Sequence, residues 1–195
     1  FMRNAEKERK TLETEIKLKL NLDGNGKHNI KTPIKFFTHM LEQLSAHGNF
    51  DIDLMVKSND DDAHHVVEDV AITLGEAFKD ALGEKRGINR YGSFILPMDD
   101  ALCLSVVDFS GRPYSKTTIQ IKDERTSDFE TVLLPHFINS FAVASAATIH
   151  VKMLDGFDTH HIIESVFKSL AHSLKIACAI DENQKDKIPS TKGVL

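Results

Sequence analysis

Residues 64–68 read His-His-Val-Val-Glu, and residues 160–164 read His-His-Ile-Ile-Glu. On a helix, successive side chains point ~100° apart, while residues three or four apart share a face. Glu68 can therefore join either His64 or His65 at one ion. The two adjacent imidazoles cannot aim at a single point. The economical arrangement is two ions, one per histidine, and His160, His161 and Glu164 repeat the geometry. Imidazole with carboxylate suits zinc, manganese or iron. A His/Glu set without cysteine leans toward a six-coordinate ion with open positions, which favours catalysis over a structural role. The alternative is a pair of surface histidines at each helix start, and the recurrence of the motif in register weighs against it.

One histidine and one glutamate per ion would hold metal weakly, so further ligands are expected among His39 and His47 on the 33–47 segment and among His136 and His150 around its later counterpart. The flanking Asp60-Asp61-Asp62 and Asp158 read first as a solvated acidic loop. Their sharper reading is carboxylates that orient the imidazoles. Pro189-Ser190-Thr191-Lys192-Gly193 is short, polar and cationic, and could hold a phosphate through hydroxyls, backbone N–H groups and a point charge. Its bland reading is a frayed tail. Arg90 and Arg112 stand in loops with surface charge as the alternative, and Lys168 lies one helical turn beyond Glu164, where a plain ion pair explains it equally well.

The elements that must position these groups form a repeat. The motifs are offset by 96 residues, and the offset continues downstream: Val66, Val67, Val70, Ala71, Leu74 and Ala81 have apolar partners at Ile162, Ile163, Val166, Phe167, Leu170 and Ala177. These spacings give one apolar helical face per copy. Gly83 stops the first helix, and Asp181-Glu182-Asn183 follows the second. Upstream, Glu13–Leu22 alternates strictly and predicts a half-buried strand turned by Asp23-Gly24. Pro33–His47 predicts a helix with proline at its start, and Phe50–Val56 a strand. The second half repeats the order, with strands at Ala101–Asp108 and Ser115–Lys122, a helix at 131–147 and a strand at Thr148–Leu154. The fold class is then α+β, internally duplicated as strand-strand-helix-strand-helix halves whose sheets are backed by helices. The division is one domain over 2–195, with repeats at about 11–97 and 98–182 and a substrate-binding tail at 183–195.

The net charge of −5 argues against general nucleic-acid binding. No apolar run approaches the ~20 residues of a membrane span, and no secretory leader is read. Cys103 and Cys178 sit in apolar surroundings and read as buried free thiols of a reducing, cytoplasmic compartment. Phe1 stands before Met2 and is read as an addition to the natural chain.

Beyond the motifs, several landmarks occur in order: Leu22-Asp23-Gly24-Asn25-Gly26, Phe36-Phe37-Thr38-His39-Met40-Leu41, His47-Gly48, Asp69 after the first motif, Arg90-Tyr91-Gly92, Pro97-Met98-Asp99 and Asp108-Phe109-Ser110-Gly111-Arg112-Pro113. Together with the tail they cover nearly the whole chain, which resembles the imidazoleglycerol-phosphate dehydratases of histidine biosynthesis. The resemblance implies a fold like the second domain of ribosomal protein S5, two Mn2+ ions per active site, and a homo-oligomeric shell of twenty-four subunits with sites between them. By motif, His39, His64, His65, Glu68, His136, His160, His161 and Glu164 fall on metal ligands. Glu13, His39, His47, Arg90, Arg112, Lys168, Ser190, Thr191 and Lys192 fall on substrate-contacting positions. The implied reaction is dehydration of D-erythro-imidazole glycerol phosphate to imidazole acetol phosphate, a hydro-lyase activity. Two metals bracketing the ring would favour an imidazolate that expels the hydroxyl through a diazafulvene-like intermediate, with Glu13 as base and Glu68 and Glu164 as the other catalytic carboxylates. Departures from the family pattern are Thr38 for an acidic or amide residue, Asp100 for glutamate, Asp158 for asparagine, and a loop before His64 about one residue short. The rival readings are a dinuclear metal phosphatase and a metal-dependent assembly or storage protein.

Overall fold

In the computed structural model, residues 3–195 are described; Phe1 and Met2, and with them the reading of Phe1 as an added residue, lie outside the described residues. Alternation of apolar and polar residues builds the sheets. β2 (Thr14–Asn21) buries Ile16, Leu18 and Leu20, and β4 (Asp51–Ser58) buries Ile52, Leu54 and Val56, the period of a strand with one face on a core. They pair antiparallel. β1 (Asn4–Lys10) adds antiparallel outside β2, and β3 (His28–Lys31) adds parallel outside β4, giving the order β1-β2-β4-β3. The second sheet repeats this plan with β5 (Tyr91–Met98), β6 (Ala101–Asp108), β10 (Thr148–Asp155) and β7 (Tyr114–Thr118), in the order β5-β6-β10-β7.

Four helices lie between the sheets: α1 (Lys35–Gly48), α2 (Ala63–Leu82), α3 (Leu133–Ala144) and α4 (Thr159–Cys178). α2 covers β1 and β2, and α4 covers β5 and β6. The halves join helix to helix, α1 along α4 and α3 along α2. Phenylalanines fill the seam: Phe37 meets Phe137 edge-on at 5.6 Å, Phe137 meets Phe167 at 5.1 Å, and Phe78 meets Phe141 at 5.3 Å between ring centroids. Such pairs add to the large apolar area these rings remove from water. Two glycines permit close approach. A Cβ on Gly75 would sit 2.7 Å from the Ala144 Cβ where α2 meets α3, and one on Gly92 would collide with the Ser173 carbonyl oxygen where α4 meets β5.

The duplicated α+β architecture stands, and each four-stranded sheet carries one strand more than the strand-strand-helix-strand-helix pattern predicts. β1 was invisible because its inward residues are not apolar: Lys7 and Arg9 point at Asp80 (2.6 Å) and Asp69 (2.9 Å) of α2. β5 was obscured by Gly92 and Pro97, and an edge strand tolerates both. β3 is a short parallel edge that no local alternation announces. The division of the repeats near 97/98 is corrected, because β5 pairs with β6 and belongs to the second sheet. The seam lies in the 83–90 loop after Gly83, the left-handed cap of α2 (φ 52°). β7 also ends at Thr118 rather than Lys122.

Beyond β7 the second half has an extra hairpin, β8 (Arg125–Thr126) with β9 (Phe129–Glu130). It supplies what α1 lacks. Ile34, before α1, offers no side-chain cap. Asp128 at the hairpin turn accepts hydrogen bonds from the Lys35 and Phe36 N–H groups at 2.7 and 2.9 Å, and Phe129 packs on Phe36 and Phe37. The helix therefore starts at Lys35, not Pro33, and its first turn is fixed from the other half. Asp128→Ala is expected to cost about 1 kcal/mol, the usual worth of a helix cap, and to lower the midpoint of urea unfolding; an unchanged midpoint would show that the cap contributes nothing.

Candidate metal centre

Each His-His-x-x-Glu motif opens its helix. Asp62 accepts from the His64 N–H (2.8 Å) at the start of α2, and Asp158 accepts from the His161 N–H (3.0 Å) at the start of α4. These caps, with the nearby aspartates, offset the unfavourable positive end of the helix dipole for a cation. Of the departures noted above, Asp158 is thus a working cap. Thr38 accepts from the Thr32 N–H (3.2 Å) and lies 3.0 Å from the Thr32 hydroxyl, closing the turn into α1.

Within each motif the adjacent rings diverge. The His64 and His65 ring planes stand 88° apart and those of His160 and His161 74° apart. The first histidine of each pair faces the glutamate of its own motif. His160 Nε2 lies 3.0 Å from Glu164 Oε2, and His39 Nε2 from α1 lies 3.7 Å from the same oxygen. One ligand atom from each of the three falls within 4.8 Å of the others. In the other motif, His64 Nε2 lies 3.4 Å from Glu68 Oε2, and the His136 ring from α3 stands 4.8 Å from that of His64. So each motif gains a histidine from the other half, His39 for α4 and His136 for α2. The His39, His160 and Glu164 set combines imidazole nitrogens with a carboxylate oxygen at spacings that fit a divalent ion, as Glu13, Asp60 and His65 do at the other motif, and three protein groups leave coordination positions open.

Glu164 is buried and Glu68 half-exposed. Burial pushes the Glu164 carboxyl up, but the Lys168 ammonium at 2.6 Å and the His160 contact outweigh it and hold the group below the usual glutamate value. Lys168 also reaches the Met98 sulfur (3.5 Å).

The second histidine of each pair turns away from its inner set. His65 Nδ1 lies 2.6 Å from Asp60 Oδ2, and its Nε2 lies 3.5 Å from Glu13. His161 Nδ1 lies 2.6 Å from Asp100 Oδ1, and its Nε2 lies 3.6 Å from Asp99. Asp60 therefore contacts an imidazole, so the solvated-loop reading of the acidic run does not hold for it, while Asp62 and Asp158 cap helices. The bond to Asp60 raises His65 above its ordinary value, as the bond to Asp100 does His161. The backbone N–H groups of Phe157 and Asp158, together with His161, push Asp100 well down. Asp100 gave no signal in the sequence beyond its unexpected identity, because its partner lies on another element.

The remaining candidates lie elsewhere. His47 on α1 stands 5.5 Å from His172 on α4, which stacks on Phe94 at 4.3 Å. Burial lowers both histidines, with the Lys168 charge next for His47. His172 was not singled out by the sequence, which offers only a helical spacing from Lys168. His150 faces outward on β10 beside Tyr114 and joins neither set. Arg90, Arg112, Ser190, Thr191 and Lys192 do come together, lining a cleft of about 710 Å³ with Lys187 and Gln184. The tail is folded, not frayed: Arg90 donates to the Pro189 carbonyl (2.9 Å) and Gly87 N–H to that of Lys187 (2.9 Å). Asp108, also missed, holds the Arg90 guanidinium at 2.7 and 3.2 Å, and Arg90 lies over the Tyr91 ring.

With this geometry in place, comparison with known proteins is decisive. A family model described as imidazoleglycerol-phosphate dehydratase matches residues 32–174. This chain belongs to that family. The imidazoleglycerol-phosphate dehydratase of Caldicellulosiruptor bescii is 49% identical over 196 residues, covering 99% of this chain and 98% of the relative. That of Caldanaerobacter subterraneus subsp. tengcongensis is 48% identical over 195 residues, covering both chains fully. Among solved structures, the Pyrococcus furiosus enzyme in complex with (S)-C348 superposes with a TM-score of 0.85 at 39% identity, covering 97% of this chain and 100% of that one. The Staphylococcus aureus enzyme gives 0.83 at 29% identity, covering 91% and 99%. No helix among the described residues is long and apolar enough to cross a membrane.

The lowered histidines set a pH dependence. A group whose folded value lies below its ordinary 6.5 takes up its proton first in the unfolded chain, so stability is complete above 6.5 and falls as pH drops below it. The raised His65 and His161 oppose this loss, so it is read as a difference: between pH 7.5 and 5.5, denaturant unfolding of the metal-free His172→Gln variant should lose less stability than the wild type. An identical pH slope in the variant would exclude His172 as a source.

Proposed function

We propose that this chain dehydrates D-erythro-imidazole glycerol phosphate to imidazole acetol phosphate, as a hydro-lyase of histidine biosynthesis. Full-length membership of the dehydratase family supports the reaction. The observation that carries the site assignment is the cluster of His39 with His160 and Glu164 across the halves, which the approach of the His136 ring to His64, itself 3.4 Å from Glu68, echoes at the other motif. A repeat kept only for stability has no need to bring imidazoles together across its seam.

Two divalent ions per active site are proposed, manganese by family resemblance, with the inner sets, His65 and His161 as their protein ligands. When bound, such ions supply Lewis acidity that stabilises the deprotonated ring of the substrate and removes the need for a carbonyl to acidify the reacting C–H bond. The rest falls to side chains of this chain. Glu13 is the proposed base, taking the carbon-bound proton on its carboxylate; it stands in the β1–β2 turn beside His65 and is half-exposed. The neighbouring hydroxyl leaves as water with one added proton, and the resulting enol tautomerises to the ketone. Ser190, Thr191, Lys192 and Arg112 bind the phosphate and so orient the carbon chain. Arg90, already held by Asp108 and Pro189, shapes the tail that presents them.

The position of the tail cleft bears on assembly. β5 runs from Tyr91, which lines the cleft, to Met98, which touches Lys168 beside Glu164. Eight strand residues span roughly 25 Å, far more than a three-carbon chain between ring and phosphate. One copy cannot offer its own cleft and its own Glu164 set to one substrate. This supports sites completed by a second copy, in the proposed shell of twenty-four subunits.

Metal analysis combined with a dehydratase assay on imidazole glycerol phosphate tests the reading. His160→Ala should abolish turnover and reduce bound manganese; full activity in the fully chelated protein would sink the scheme. Lys192→Ala should raise KM at least about tenfold, as for loss of a charged hydrogen bond, with kcat changed less. An unchanged KM would remove the tail from substrate binding.

A further inference from the structure

His65 and His161 are the two candidate ligands that lie outside the inner sets, with no companion imidazole or glutamate of their own motif to fix the ring. Each is held instead by one aspartate, and the two holds match atom for atom. In Asp60, Oδ1 accepts from the Asp62 N–H (3.1 Å) and the Ser58 hydroxyl (3.3 Å), while Oδ2 meets His65 Nδ1 at 2.6 Å. In Asp100, Oδ2 accepts from the Phe157 and Asp158 N–H groups (2.7 and 3.0 Å), while Oδ1 meets His161 Nδ1 at 2.6 Å. One oxygen anchors the carboxylate to the backbone and the other faces the ring.

Duplication does not account for this match. Asp60 lies in the β4–α2 loop, five residues before its histidine, whereas Asp100 lies in the β5–β6 turn, sixty-one residues before its own. The residue that corresponds to Asp100 in the first half is Glu13, which directly precedes β2 as Asp100 precedes β6. Glu13 faces the other ring nitrogen, Nε2. Two unrelated chain positions thus deliver a carboxylate to the same imidazole atom, so the hold is itself the shared constraint. An ionised carboxylate can only accept, so Nδ1 must carry the proton. In the neutral ring the Nε2 lone pair is then free, and the ring is fixed in direction.

We propose that Asp60 and Asp100 are positioning residues that lock His65 and His161 in the Nδ1–H tautomer and present Nε2 as the metal-binding atom. The inference rests on the dinuclear metal reading above. It also explains a division of labour: because Asp60 takes over the hold on His65, the turn carboxylate Glu13 stays on the Nε2 side, where a base is wanted. In the second half the turn supplies both groups, Asp100 for the hold and Asp99 on the Nε2 side at 3.6 Å.

The test uses Asp60→Asn and Asp100→Asn. The asparagine oxygen still accepts from the backbone, but its NH2 group donates to Nδ1 and reverses the tautomer. Two readouts are taken on the full chain: histidine tautomers by 15N NMR without metal, and manganese affinity by titration calorimetry. The expected result is Nδ1–H at both histidines in the wild type, Nε2–H at the affected one in each variant, and manganese affinity lower by about 10- to 100-fold, with the thermal midpoint of the metal-free protein nearly unchanged. Nε2–H in the wild type, or variants that bind manganese like the wild type, would overturn the proposal. A wild type that holds Nδ1–H yet binds no manganese would overturn the metal reading instead, and with it the purpose assigned to the hold.

Discussion

Everything at the candidate centre depends on the packing of α1 along α4 and of α3 along α2. Neither His-x-x-x-Glu pair gathers a third candidate ligand from its own half. His39 reaches His160 and Glu164 only because α1 lies on the other half's helix, and His136 reaches His64 by the same crossing. Phe37, Phe137 and Phe167 fill that seam, and Gly75 lets α2 and α3 approach. Interiors packed this closely transmit displacement instead of absorbing it, so the seam sets ligand spacing as much as it sets stability.

The repeat is strict where ligands are placed and loose elsewhere. The two sheets share one strand order, yet their outer faces differ. Cross-strand pairs line the first: Glu6 with Lys19, Glu8 with Lys17, Lys10 with Glu15. The second carries Ile95, Val106 and Leu154 on its outer side, all substantially exposed. The hairpin that caps α1 exists in the second half alone. The carboxylates that hold His65 and His161 come from non-equivalent loops. What the halves share is the set of positions that meet at the seam and at the helix starts.

Charge follows the same economy. The starts of α2 and α4 present imidazoles at the positive end of a helix, a poor place for a cation by itself. Asp60 and Asp62 at one start, and Asp100 and Asp158 at the other, reverse the local field while satisfying backbone N–H groups. Lys168 does the opposite work at Glu164, keeping a buried carboxylate ionised with Oε2 toward the histidines and Oε1 toward itself.

By itself the sequence determined the two motif helices, the strands with apolar alternation, the duplication and the set of candidate ligands, because each is written in local spacing: four residues bring a histidine and a glutamate to one face, and period two exposes a strand. It also offered the tail as a candidate anion site, with a frayed end as the alternative. Spacing left open whether His39, His47, His136 or His150 would join a motif, because that depends on which helices cross, and only the family resemblance pointed to His39 and His136. The sequence missed β1, whose inward lysine and arginine are satisfied only by aspartates on α2, and it missed β5 and left its residues in the first repeat, because strand pairing is non-local. It saw in the acidic run a solvated loop, since nothing in a row of aspartates says which one meets a ring. Only the tertiary structure sorted these, giving Asp60 and Asp100 to the outer histidines, Asp128 to α1 and Asp108 to Arg90. Each is a single polar contact between segments distant in the chain or folded back in a loop, and such contacts leave no periodic trace.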